Sequence, residues 1–170
     1  MRFVVCGLLL LLALVLETAG VPGIAFGGVK PELMLMLTLL AAMIMPLGEA
    51  VGVGFAAGLA QDLVVGRFIT LHAGVFVLVA LAVGLVVQRF YRENFLVRLC
   101  CLLFGTALGE VMYLLGAASF GLSRPWTVNL WSRIAVVSIV NAVLGTLLYR
   151  PLARLYRRLL DHDELVKRTG

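Results

Sequence analysis

Residues 54–66 read GFAAGLAQDLVVG, a run of small and apolar residues that carries one carboxylate, Asp62. Its reading depends on the surrounding solvent. The chain has 170 residues, of which 62% are hydrophobic, and its mean hydropathy is +1.09. Soluble domains are about 45–50% apolar. One small water-soluble core cannot hide that excess. The medium is therefore lipid, and the chain reads as an all-α integral membrane protein.

A spanning helix needs ~20 apolar residues. Residues 3–20, 69–88, 96–119 and 130–149 each supply one such run. Residues 33–66 are too long for a single span, and Pro46, Gly48 and Glu49 divide them near 33–46 and 49–66. The sum is about six spans in one bundle. The stretch 33–46 is short enough to be a re-entrant segment instead. The transmembrane domain then covers residues 1–150, and a polar tail, 151–170, follows from Pro151. The start, MRFVVCGLLLLLALVLETAG, also has the charge and apolar run of a secretory signal. Its apolar run exceeds a signal core and ETAG is a poor cleavage site, so it reads as a retained span.

The net charge is +5, and the basic residues set an orientation. With both termini in the cytoplasm, the inside holds Arg2, Arg89, Arg92, Arg98, Arg150, Arg154, Arg157, Arg158, Lys167 and Arg168. The outside holds Lys30, Arg67, Arg124 and Arg133, with Trp126 and Trp131 as an aromatic belt. No lysine-rich patch interleaved with aromatics lies outside the spans, and the positive charge lies mostly at the ends of apolar runs, which argues for membrane orientation rather than nucleic acid. In the tail, Leu152, Leu155, Tyr156 and Leu159 fall on one helical face and arginines on the others. Such a basic amphipathic helix suits an anionic leaflet, at ~1 kcal/mol per cation, or a cytoplasmic protein; an ordinary stop-transfer flank has the same composition.

Asp62, Glu110 and Arg133 fall at similar depth toward the outer side, and a carboxylate at mid-membrane costs ~2.5–3.5 kcal/mol on insertion scales. They are expected to meet inside the bundle, with Arg133 as bidentate partner and Asn141 adding a hydrogen bond across helices. His72 begins the fourth span and is placed to pair with Asp62. Gly54 with Gly58, and Gly105 with Gly109, form GxxxG pairs that let backbones approach closely. Three roles remain open for the charges: structural register, recognition of a partner's transmembrane helix, and transport. Inverted repeats of the transporter kind are not visible. No nucleophile elbow, HExxH, Walker loop or CxxC is present, and the second histidine, His162, lies in the tail. The three cysteines, Cys6, Cys100 and Cys101, sit in apolar runs and read as small hydrophobes. No metal, cofactor or catalytic residue is expected.

The stretch GFAAGLAQDLVVGRFITLHAGVF resembles the signature of the MreD family of rod shape-determining membrane proteins. That signature is a glycine-rich helix running into an acid, a glycine four residues later and a turn ending Leu-His-Ala, here Asp62, Gly66, Leu71, His72 and Ala73. KPEL (30–33) is similar to the family's entry into its second span, and VQRFYRENFLVRL (87–99) to its basic loop. Two positions depart: Thr70 stands where a glycine is usual, and Glu32 where Asp or Asn is usual. The resemblance spans roughly residues 29–150. It implies a fold similar to the substrate-binding subunits of energy-coupling-factor vitamin transporters. It also implies a non-enzymatic role in the bacterial cell-elongation complex of the inner membrane, which makes lateral peptidoglycan. The implied partner is the transmembrane helix of the scaffold MreC, with MreB, RodA and a peptidoglycan transpeptidase as further candidates. The alternative is the vitamin-capturing subunit of such a transporter.

Overall fold

The structure is a computed structural model that describes residues 2–19, 31–66, 70–89, 94–121 and 128–169, with side chains in the last segment described for 129–163. Lys30, Arg67, Arg92, Arg124, Trp126, most of the loop SRPWTVN and the side chains of Lys167 and Arg168 lie outside the described residues. The described residues form six α-helices: α1 (Arg2–Thr18), α2 (Leu33–Ile44), α3 (Leu47–Val65), α4 (Leu71–Arg89), α5 (Phe95–Ser119) and α6 (Val128–Thr169). Among the described residues, four stretches are long and apolar enough to cross a membrane: α3, α4, α5 and residues Asn129–Asp163 of α6. The protein is an all-helical membrane bundle.

The bundle is built around α2. This helix is apolar on every side, and 9 of its 12 residues are buried, including Met34, Leu35, Met36, Leu39 and Leu40. At ~1.5 Å per residue it rises about 18 Å, short of a bilayer core of ~30 Å. It stops where Met45 turns extended (φ −94, ψ 164) ahead of Pro46, as residues before proline do. Helices α3, α4, α5 and α6 pack around it. Large apolar side chains such as Phe55, Leu63, Leu78, Leu85, Phe104 and Leu147 point outward and are at least half exposed, the pattern of a surface that meets lipid.

Both GxxxG pairs work inside the chain. A Cβ on Gly58 would run into the backbone of Ala73 and His72, and one on Gly54 would sit 3.1 Å from the Phe76 carbonyl oxygen. These two glycines bring α3 against α4. Gly105 and Gly109 receive the side chains of Leu39 and Leu35 from α2. Gly66 does a different job: it closes α3 in the left-handed region (φ 66, ψ 8), its N–H donating to the Asp62 carbonyl at 2.9 Å, a conformation glycine adopts without steric cost.

The last helix departs from the expected tail. It continues through Pro151 to Thr169, although proline removes one backbone bond. Tertiary packing compensates. Leu152, Leu155, Tyr156 and Leu159 line a groove with Cys6, Leu9 and Leu10 of α1 and Leu40 and Ile44 of α2. Glu49 of α3 forms an ion pair with Arg2 at 3.0 Å and accepts from the Tyr156 hydroxyl at 2.8 Å. Arg2 also approaches Asp163 at 3.8 Å. The amphipathic face found in the sequence is therefore turned onto the bundle.

Candidate functional site

The polar residues gather at the end of the bundle where α1, α3 and α5 finish and α2, α4 and α6 begin. Asp62 lies one turn before the end of α3 and is 1% exposed. Its Oδ2 accepts from the backbone N–H groups of Thr70 (2.9 Å) and Ala73 (3.1 Å). Its Oδ1 accepts from the His72 N–H (3.0 Å) and lies 2.7 Å from His72 Nδ1. The first N–H groups of any helix lack intrahelical partners, and negative charge is favoured there. Asp62 thus caps α4 from the neighbouring helix. This explains a carboxylate in an apolar run: backbone donors, not lipid, surround it.

The same device serves α2. The Glu32 side chain makes no capping bond. Instead Glu17, in the last turn of α1, accepts from the Met34 N–H at 3.2 Å and from Gln61 Nε2 at 2.7 Å. Gln61 is adjacent to Asp62, so the two caps are linked through α3. His72 donates through Nδ1 to the Asp62 carboxylate, which leaves Nε2 as the acceptor in the neutral ring. The ring stacks on Tyr113 of α5 (centroids 4.3 Å apart) and meets the edge of Phe76 (6.0 Å).

The expected meeting of Asp62, Glu110 and Arg133 does not occur. Asp62 is taken by α4 and His72. Glu110, 8% exposed, lies beside the Glu32 carboxyl, with Arg133 within electrostatic reach of Glu32. Arg133 itself is exposed. Similar depth along three helices says nothing of azimuth: Asp62 turns to the start of α4, while Glu110 and Arg133 both lie about Glu32. Asn141 is fully buried and donates through Nδ2 to the Glu32 carbonyl at 3.2 Å, tying α6 to the start of α2. Glu17, Gln61 and Tyr113 were missed in the sequence. Glu17 carried a signal, as an acid in the last turn of a span ending on the same side as Asp62.

Thr70 is the strained position. Its φ is +91, a region that costs a β-branched residue dearly. It holds there because its N–H is one of the donors to Asp62. Among the described residues, no group of three or more His, Cys, Asp or Glu could hold a metal ion.

These features define a class: a multi-helix membrane protein whose buried carboxylates are used to join helix ends. Within that class, the chain belongs to the MreD family, since the family model for rod shape-determining protein MreD matches residues 1–159. It is accordingly a rod-shape-determining membrane protein. No curated protein and no solved structure matches the chain.

Proposed function

We propose that this chain is a non-enzymatic component of the cell-elongation complex in the bacterial inner membrane. Both termini lie in the cytoplasm, and the chain binds the transmembrane helix of MreC; MreB, RodA and a transpeptidase act in the same assembly. The family match over residues 1–159 carries the reading. The charge bias of the ends supports the orientation.

The docking face we assign is the outer side of α3. Gly48, Gly52, Phe55, Ala56 and Leu63 are all exposed there. A Cβ on Gly48 or Gly52 would meet nothing within 4 Å, so these small residues serve no packing inside the chain. Small residues four apart suit a close helix–helix crossing in lipid. Asp62 and His72 then act through the fold, by holding α3 against α4, and Asn141, Glu110 and Arg133 by gathering α5 and α6 about the start of α2. The test is Gly52→Leu. The fold should survive it, because the site is open. MreC should be lost from the purified complex and rod shape should fail. If MreC still co-purifies at the wild-type level, the face is wrongly assigned.

A further inference from the structure

A polar cluster surrounds the start of α2, away from the α3 face. Here α2 packs tightly against both α5 and α6. A Cβ on Gly109 would meet Leu35 Cδ2 at 2.8 Å, and one on Gly145 would meet Leu102 Cδ2 at 2.8 Å and Met36 Cγ at 3.4 Å. Glu110 follows Gly109, and Asn141 lies about one turn before Gly145, so both come to the level of Glu32. The Asn141 bond to the Glu32 carbonyl fixes that meeting, at 3.2 Å, and the Glu110 carboxyl lies beside that of Glu32. Ser138 precedes Asn141 by three residues and so shares its side of α6. Asn141 is 0% exposed, Ser138 3% and Glu110 8%.

The cluster is short of positive partners. Glu110 Oε1, Ser138 Oγ and Asn141 Oδ1 are buried and have no hydrogen-bond partner, and a buried oxygen left unsatisfied is costly. Adjacent carboxylates also oppose each other's ionisation unless a positive charge lies between them. One shared proton would answer the second need and leave the three oxygens as they are. A coordinated cation answers both. Carboxylate, amide and hydroxyl oxygens are ligands for a hard cation. The charge balance selects a monovalent one. Arg133 lies within electrostatic reach of Glu32 and offsets one of the two carboxylates, which leaves one negative charge. The nearby Glu17 is already held by the Met34 N–H and Gln61. Burial of Glu110, Ser138 and Asn141 favours a bare ion over a basic side chain from another protein, and the partly buried Glu32 gives the ion its way in. We propose that Glu32, Glu110, Ser138 and Asn141 bind one alkali-metal cation, which ties α5 and α6 to the start of α2.

The experiment is thermal unfolding of the full chain in detergent at fixed pH, followed by helical circular dichroism. Sodium or potassium chloride replaces N-methylglucamine chloride at constant ionic strength. Raising one of the two alkali cations from about 1 to about 100 mM should raise the midpoint by about 3 °C or more. Glu110→Gln should abolish that rise, and Glu49→Gln, at the opposite end of the bundle, should keep it. Retention of the full rise by Glu110→Gln overturns the proposal. So does a response to calcium alone, which would mark a divalent site. A response to acid with none to sodium or potassium marks a shared proton only, and overturns it too. If Glu110→Gln does not fold, infrared difference spectroscopy of the wild type decides. A saturable shift of carboxylate stretching bands on exchange of N-methylglucamine for sodium or potassium supports the proposal, and the lack of any such shift refutes it.

Discussion

Replacing Asp62 by Asn keeps size and shape and removes charge, so it isolates the capping role. The carboxylate accepts four contacts, two on each oxygen, at 2.7 to 3.1 Å. An amide has one oxygen and one NH2. Whichever way it faces, at least one backbone N–H at the start of α4 loses its acceptor and meets another donor. If the amide nitrogen takes the Oδ2 position, both Thr70 and Ala73 are orphaned. If it takes the Oδ1 position, the His72 N–H is orphaned and its ring must change tautomer. Each lost buried bond to a charged group costs about 1.5–3 kcal/mol, and the lost interaction with the helix dipole adds about 0.3–1 kcal/mol. The expected destabilisation is about 2–5 kcal/mol. The assay is reversible unfolding in detergent followed by helical circular dichroism, with amide exchange of residues 70–73 as a local reading. Those amides should exchange faster in the variant. A variant within about 0.5 kcal/mol of wild type, with unchanged exchange, would refute the capping argument.

Four further outcomes follow from the same geometry. Thr70→Gly should stabilise the protein by about 1 kcal/mol in the same unfolding assay, because it relieves a β-branched residue at φ +91; destabilisation would show that the threonine side chain contributes more than the strain costs. Gly58→Ala should destabilise by about 1–3 kcal/mol, since its Cβ would meet the Ala73 and His72 backbone. Gly52→Ala, with open space around it, should be neutral or stabilising by up to ~1 kcal/mol. Tyr156→Phe should cost about 1–2 kcal/mol by removing the 2.8 Å bond to Glu49, with release of the end of α6 from α1 read by amide exchange.

The helices were legible because lipid demands long apolar runs, and the Pro46 break divided α2 from α3 where a pre-proline residue must turn extended. The Asp62–His72 pairing was legible too, since a short turn between antiparallel helices brings its flanks together. The grouping of Glu110 and Arg133 with Asp62 was not. Span position gives depth, while contact requires azimuth, and azimuth is fixed by tertiary packing around α2. Glu17 was hidden for the same reason: its role depends on where the start of α2 falls against the end of α1. The continuous α6 was hidden because Pro151 reads locally as a stop, while the packing that carries the helix past it comes from α1 and α2. Thr70, by contrast, stood out in the sequence as the departure from a glycine, and its positive φ gives the reason glycine suits that place.

The central claim is that buried polar groups hold the helix ends together while the open face of α3 receives the partner helix. A photoreactive phenylalanine analogue at Phe55 and at Phe104 tests it most directly, because both side chains are exposed, at 52% and 66%, on different helices. Irradiation of intact cells should link Phe55 to MreC, and Phe104, on α5, should give no MreC adduct. Adducts from Phe104 with none from Phe55 would contradict the account.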